Sequence, residues 1–222
     1  MGINKPYRDI SELPATIPVF PLEGVLLLPR THLPLNIFEP RYIQMIDAAL
    51  ASSRLIGMIQ PSASHSTIGS ILEIESIGCL GRITQIAETG DGRYELVLSG
   101  ITRFRVGAEE HGGTPFRRFH VSCGEFAADL TASDAQDAIN RPKLMEMLGT
   151  FSERNGINLD WEAIQGTGNE LLVNSLSMTM PFQPREKQAL LEAPDLAARA
   201  EILVAMSELD MAQQSGTSTR LQ

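Results

Sequence analysis

The sequence has 222 residues, of which 43% are hydrophobic and 20% charged, and its formal net charge is −9. That balance is typical of a folded globular protein and excludes a wholly disordered chain. No apolar run approaches the roughly 18 residues needed to span a bilayer, and the first residues, MGINKPYRDI, lack the apolar core of a secretory signal. We therefore expect a cytoplasmic protein that does not enter the membrane.

The distribution of cysteine, histidine and charge further limits the kinds of binding site that we expect. Cys79 and Cys123 lack the CxxC spacing of zinc and redox motifs, and the four histidines lack ligand spacing such as HExxH. Residues 126–222 hold seven basic and fourteen acidic side chains, whereas nucleic-acid surfaces need clustered lysine and arginine. The sequence thus predicts no metal, no cofactor and no broad nucleic-acid surface.

The strongest local pattern lies between residues 17 and 50, after an expected N-terminal arm at 1–13. Five prolines interrupt an otherwise apolar segment here, so we expect short buried strands joined by rigid turns. After Pro40 the apolar residues recur on one helical stripe as far as Leu50, and the proline is suited to the first position of that helix. The segment therefore predicts two strands followed by a helix, packed as one unit.

Further strand patterns extend to residue 123 and are predicted at 55–59, 71–87, 93–99, 101–106 and 116–123. Thr89 to Gly92 has the composition of a hairpin turn, and Gly100 is predicted to turn the chain between two strands. Beyond them, apolar stripes and prolines predict helices near 142–155, 168–179, 184–192 and 195–212. The predicted fold class is α+β, with a β-rich barrel-like body at 14–127, a helical bundle at 128–212 and a disordered tail at 213–222.

Three ordered motifs resemble one known family. They are similar to motifs of the N-terminal substrate-binding domain of Lon proteases. In chain order they are PVFPLEGVLLLP with LPLNIFEPRYIQMI, then GCLGRITQIAETGDGRYELVLSGITRFRV, then PFQPREKQALLEAPDLAARAEIL. The resemblance spans residues 14–212, and Arg30-Thr31-His32 stands where many members carry a glycine-containing turn. It implies a six-stranded pseudo-barrel with one helix, followed by a helical bundle.

The same resemblance implies a binding role. The chain contains no GxxxxGK[ST] motif for ATP phosphates and nothing that resembles the Ser-Lys protease domain of Lon. We therefore expect a standalone, non-enzymatic module without catalytic residues. Its partners would be unfolded or apolar polypeptide segments.

Leu26, Leu27 and Leu28 form the first candidate contact for such a polypeptide. Side chains alternate across a strand, so three consecutive leucines cannot share one face. Either both faces are covered, which is the favoured interpretation, or one leucine is exposed beside Arg30 and His32 and meets a partner.

The segment that contains Met178, Met180 and Phe182 is the second candidate contact. Flexible thioethers suit promiscuous apolar surfaces, although methionine at helical spacing more often fills a core. We predict that this helix end is exposed. With the leucine segment and a groove between the β-rich body and the helices, it would form the binding surface.

Six residues of the family motif are interpreted as structural, because they would hold the barrel to the first helix. Arg41 is expected to pair with a nearby carboxylate and Tyr42 to pack against the barrel. The six are Pro21, Phe38, Glu39, Pro40, Arg41 and Tyr42.

Two alternatives remain open. The first is an RNA- or nucleotide-binding barrel, which would use the positive charge concentrated on neighbouring strands by Arg103, Arg105, Arg117 and Arg118. No pattern of aromatic residues for stacking bases accompanies these arginines. The other alternative is a self-associating adaptor that docks to a separate protease, which includes a homo-oligomer.

Overall fold

The computed structural model describes residues 4–62, 72–132 and 138–218, with side chains as far as Met211. The chain divides into two units, one of residues 1–132 with 183–185 and the other of residues 133–182 with 186–222. Ile71, where a strand was predicted to begin, and residues 219–222 of the predicted tail lie outside the described residues.

In its described residues, the first unit contains six strands and one α-helix, together with two short 3-10 helices at Ile10–Glu12 and Gly124–Leu130. The strands β1 to β6 follow the order β2-β5-β4-β3-β1-β6, and a further pairing of β5 with β6 closes five of them into a ring. Only β1 and β3 run parallel. The elements are β1 (Thr16–Pro21), β2 (His32–Ile37), α1 (Pro40–Leu50), β3 (Leu55–Ile59), β4 (Ile77–Glu88), β5 (Tyr94–Glu110) and β6 (Arg118–Ser122). This is the α+β barrel that the sequence predicts.

The long strand β5 organises the barrel. Its first half pairs with β2 and β4, and its second half pairs with β4 and β6. The predicted turn at Gly100 is wrong, because β5 runs through this residue without interruption. Gly100 instead allows the chain at Leu28 to approach closely, since a Cβ atom there would lie 1.9 Å from the Leu28 carbonyl oxygen.

The barrel interior is apolar. Its central cluster surrounds Phe104, which is fully buried, and includes Ile17, Val19, Leu55, Leu80 and Phe119. One face of α1 is also buried, and its Tyr42 ring lies 4.3 Å from the Phe20 ring on β1. The N-terminal arm packs as well, because the Arg82 guanidinium stacks over the Tyr7 ring at 4.2 Å.

Helices form the second unit. They are α2 (Arg141–Asn155), α3 (Trp161–Gly166), α4 (Asn169–Thr179), α5 (Pro184–Glu192, of which the first two residues are assigned to the first unit) and α6 (Leu196–Ser218). Helix α3 was not predicted, and α6 continues to Ser218, past the expected end at residue 212. A buried arginine on α6, Arg199, donates to the Leu190 carbonyl and to Asn174 Oδ1, both at 2.8 Å.

Candidate functional site

The three consecutive leucines are all buried. Leu26, Leu27 and Leu28 are 2%, 1% and 0% exposed, and they lie in the segment between β1 and β2, outside any strand. The strand alternation that suggested an exposed leucine therefore does not apply. Leu27 packs on β4, since a Cβ atom at Gly81 would lie 2.8 Å from its Cδ2 atom. The leucines are covered, as the favoured interpretation expects, and the alternative in which one of them is exposed is wrong.

The two polar candidates beside them have different environments. Arg30 adopts a left-handed backbone conformation, with φ of 60°, and its Nη1 atom donates to the Asp129 carbonyl. His32 is exposed at the start of β2, and its Nδ1 atom lies 2.9 Å from Ser99 Oγ, which is itself 2.9 Å from Thr84 Oγ1. Arg30 thus anchors the leucine segment, and His32 lies on the solvent face of the sheet.

That solvent face carries a shallow groove of about 510 Å³ across β2, β5 and β4. Val97 on β5 pairs with Pro34 on one side and Gln85 on the other, and Glu95 pairs in the same way with Asn36 and Ala87. Paired residues of a sheet project from the same face. We call this surface the strand groove and define it by these residues: Pro34, Asn36, Gln85, Ala87, Glu95 and Val97.

One wall of the strand groove is the edge strand β2. Within the described part of the chain, β2 pairs with β5 alone. Pro34 stands in the middle of this strand and has no backbone N–H, so it cannot donate a hydrogen bond to a strand added at the edge. A proline at an edge is one of the devices that discourage edge-to-edge pairing.

A second concavity, of about 340 Å³, lies at the far end of β5. Buried apolar side chains form its floor, and Leu72 stands at its rim, 43% exposed. Four charged or polar side chains, Arg41, Glu109, His111 and Arg117, also line it. We call it the aromatic cleft and define its floor as Val19, Pro21, Tyr42 and Phe116.

Two arginines of the aromatic cleft are held differently. Arg117 donates from Nε and Nη2 to the two carboxylate oxygens of Glu109, at 2.8 and 2.7 Å, and from Nη1 to the Leu72 carbonyl at 2.5 Å. Arg41 stacks on the Tyr42 ring at 4.5 Å and directs Nε and Nη2 to one oxygen of Glu39, at 2.9 and 2.8 Å. Among the described residues, no acceptor lies within hydrogen-bond distance of Arg41 Nη1.

Two pKa shifts accompany this geometry. The hydrogen bonds from Arg117 hold the pKa of Glu109 below its ordinary value. Burial raises the pKa of Tyr42. At neutral pH the cleft therefore holds an ionised carboxylate paired with Arg117 and a neutral phenol.

The motif residues do not all serve the barrel. Pro21 and Tyr42 are buried, Pro40 begins α1, and Arg41 pairs with Glu39 as expected. Phe38 was predicted to hold the barrel to the helix, but it is 61% exposed. Its neighbour Ile37 takes the buried position, because side chains alternate along β2.

The four arginines of the nucleic-acid alternative each face a carboxylate. Arg103 pairs with Asp129 at 2.9 Å and Arg105 with Glu125 at 2.6 Å. Arg117 and Arg118 pair with Glu109 and Glu110, at 2.7 and 3.2 Å. Each positive charge that would attract phosphate is therefore matched by an adjacent negative charge.

In the helical unit, the segment from Met178 to Phe182, which was expected to be exposed, is partly buried. Met180 is 4% exposed, and its sulfur lies 3.8 Å from Ser207 Oγ on α6, so its predicted exposure is wrong. Met178 and Phe182 are half-buried. Among the side chains described in this unit, the exposed large apolar ones are Ile157, Trp161, Leu171 and Leu209.

Sequence reasoning missed most of the residues that line the two concavities. Val97, Gln85 and Phe116 are distant in sequence from the motif residues, and only strand register brings them together. In the ranges 4–62, 72–132 and 138–218, no group of three histidine, cysteine or acidic residues is placed to bind a metal ion. No helix within those ranges is both long and apolar enough to cross a membrane.

The fold is that of the N-terminal domains of Lon proteases. The solved N-terminal domain of Mycobacterium avium complex Lon protease superposes with a TM-score of 0.64 at 21% identity, covering 87% of this chain and 98% of that one. A Lon N-terminal domain protein from Xanthomonas campestris gives 0.59 at 22% identity, covering 86% and 97%.

The sequence shows the family. Residues 16–206 match the ATP-dependent protease La (LON) substrate-binding domain, and the chain belongs to this family. Lon protease 2 of Myxococcus xanthus is 26% identical over 87% of this chain and 23% of its own length. Lon protease of Escherichia coli K12 is 23% identical over 89% of this chain and 25% of its own length. The chain thus spans about a quarter of these relatives, and the match is to the substrate-binding domain, not to a catalytic domain.

Proposed function

We propose that this chain is a non-enzymatic polypeptide-binding domain that recognises exposed apolar or unfolded protein segments. The strand groove is the observation that carries the proposal, together with the family to which the chain belongs. A shallow groove across three strands suits an extended chain better than a compact small molecule, which favours deeper pockets.

The chemistry of the strand groove fits ligands of varied sequence. The amides of Asn36 and Gln85 each offer donors and an acceptor, which complement the peptide groups that every polypeptide carries. Pro34, Ala87 and Val97 add apolar contact, worth about 25 cal/mol per Å² of buried area. Because ordering an unfolded segment opposes this gain, we expect micromolar affinity and broad specificity.

The polypeptide is expected to lie on the face of the sheet. Addition of a strand to the β2 edge would require a backbone donor where Pro34 has none. His32 lies on the same face as the strand groove by strand alternation, so it stays a predicted contact. In the helical unit, Met178 and Phe182 stay predicted contacts. The buried side chains are not proposed as contacts; these are Leu26, Leu27, Leu28 and Met180.

The test is fluorescence anisotropy with a labelled protein kept unfolded by reduction and carboxamidomethylation. Ala87→Glu and Val97→Glu should each weaken binding about tenfold, equivalent to about 1.4 kcal/mol, because they place an unpaired charge under the ligand. Ala48→Glu is the matched control, since Ala48 is an exposed alanine on α1 outside the groove. Absent binding, or equal losses in all three variants, would contradict the proposal.

The other functions are less well supported. Each of the four arginines is matched by a carboxylate, so we expect RNA to be retained weakly if at all, and a labelled single-stranded RNA in the same assay tests this. Docking to a separate protease and self-association remain predictions. Light scattering across a concentration series measures self-association.

A further inference from the structure

We propose that the aromatic cleft is a specificity subsite, which takes an aromatic side chain of a bound polypeptide and places a neighbouring carboxylate of that polypeptide on Arg41. This proposal rests on the proposed polypeptide-binding function and adds a sequence preference to it. The strand groove supplies general affinity, and the aromatic cleft selects among segments.

The floor of the cleft matches one large apolar side chain. Tyr42 and Phe116 are each 8% exposed and Val19 is fully buried, so the floor is apolar and closed to the interior. The volume of about 340 Å³ is near the lower limit of ligand pockets. A space of this size holds a single aromatic side chain with its adjoining peptide groups, and two aromatic rings in the floor favour a third through offset or edge-to-face contacts.

Arg41 supplies the recognition of charge. More than half of its side chain is exposed, at 54%, and Glu39 engages its Nε and Nη2 atoms through a single oxygen. Among the described residues, Nη1 has no acceptor. The Tyr42 ring beneath the guanidinium keeps it over the cleft, 4.5 Å from the ring centre, where a carboxylate from a ligand would accept its free donors.

Arg117 has a different role in the same cleft. All three of its terminal nitrogens donate, to Glu109 and to the Leu72 carbonyl. Its charge is matched by Glu109 and each of its three guanidinium nitrogens makes a hydrogen bond, so it positions the rim residue Leu72 and leaves Arg41 to bind the ligand.

Charge complementarity points to an acidic neighbour in the ligand. The chain as a whole carries −9, and the only charged residue of the strand groove is Glu95. The lining of the aromatic cleft contains Arg41 and Arg117 against Glu109. The net negative charge of the chain disfavours an acidic segment in general, whereas Arg41, although it pairs with Glu39, keeps an Nη1 group for which the described residues supply no acceptor.

The test uses fluorescein-labelled twelve-residue peptides in a Gly, Ser and Asn background with Phe-Glu, Phe-Gln or Ala-Glu at the centre. Anisotropy titrations of the full chain should show Phe-Glu binding about fivefold more tightly than Phe-Gln or Ala-Glu, as a charge-assisted bond at a half-exposed site implies. Arg41→Gln should abolish the difference between Phe-Glu and Phe-Gln. Leu72→Asp should weaken both Phe peptides.

Arg93→Gln is the matched control, because Arg93 is 55% exposed and pairs with Asp91 at 3.2 Å in the hairpin turn. It should keep the full preference. Equal affinities of the three peptides for the unaltered chain would overturn the proposal, as would a preference that survives Arg41→Gln or is lost equally in Arg93→Gln. Urea unfolding of each variant confirms that it is folded.

The two proposals fail in different ways. If the unfolded protein binds and responds to Ala87→Glu but the peptides show no preference, the subsite is refuted and the polypeptide-binding function stands. If the peptides show the predicted pattern but no unfolded protein binds, the subsite stands and general binding through the strand groove is refuted.

Discussion

Arg103 and Asp129 form a buried ion pair in which one carboxylate accepts three N–H groups of a single residue. The backbone nitrogen, Nε and Nη2 of Arg103 each lie 2.9 Å from an oxygen of Asp129. The carbonyl of Asp129 also accepts from Arg30, beside the buried leucines. This one aspartate therefore joins β5 to the segment between β1 and β2, and the predicted RNA-binding residue Arg103 serves the fold.

Asp129→Asn should lower the free energy of unfolding by about 3 kcal/mol, because it leaves the buried Arg103 guanidinium without a matching charge. Urea denaturation followed by circular dichroism measures the change. Glu125→Gln removes the partner of Arg105 two positions along β5, where the two side chains are 43% and 47% exposed. Its effect should be far smaller, and equal losses in the two variants would show that burial of the pair does not matter.

Gly100→Ala should destabilise the barrel by at least about 3 kcal/mol, since the added Cβ would overlap the Leu28 carbonyl oxygen and backbone would have to move. Gly112→Ala is the control, because a Cβ atom at that position meets no atom within 4 Å. Thermal unfolding of both variants measures the difference. A stable Gly100→Ala variant would refute the close approach of the leucine segment to β5.

Glu109 should make stability depend on pH in the acidic range. Hydrogen bonds from Arg117 lower its pKa below the ordinary 4.5, so the pair stabilises the folded state above that pH and loses this contribution as the pH falls through the lowered value. We predict that the unaltered chain exceeds Glu109→Gln in unfolding free energy by about 1 kcal/mol at neutral pH, with the difference disappearing in acid. Urea titrations across pH measure it.

The Glu109 prediction has an internal control. In an Arg117→Gln background the same Glu109→Gln change should have little effect at any pH. A pH-dependent difference that persists without Arg117 would assign the effect to another neighbour of Glu109.

Truncation of Phe38 and of Tyr42 should change the unfolding free energy by very different amounts, although both residues belong to one motif. Tyr42→Ala should cost about 3 kcal/mol, because it empties a buried site beside Phe20. Phe38→Ala should change the unfolding free energy by less than about 0.5 kcal/mol, because the ring is mostly in solvent. Similar losses of unfolding free energy in the two variants would instead support the structural role that the sequence predicts for Phe38.

Several helices, strands and turns could be predicted from the sequence, because residues close together in the chain determine them. Pro40 marks the start of α1, the apolar run at 55–59 becomes the buried strand β3, and the glycines at 90 and 92 lie in the hairpin turn between β4 and β5. The family motifs add the barrel topology, which no local pattern contains.

Features that depend on long-range packing could not be predicted. Gly100 has the composition of a turn, but its lack of a side chain accommodates Leu28, which is 72 positions earlier in the chain. The exposure of Phe38 and the burial of Leu26 to Leu28 depend on which segments cover them. The strand groove and aromatic cleft depend on register across β5, so their residues carry no shared signal in the sequence.

Polypeptide binding at the strand groove is tested by an amide chemical-shift map of the ¹⁵N-labelled chain during titration with the unfolded protein. We expect shifts concentrated at the strand groove, on β2, the first half of β5 and residues 85–87 of β4, and their loss in Ala87→Glu. Shifts confined to other surfaces, or a spectrum unchanged at saturating ligand, would contradict binding at the strand groove.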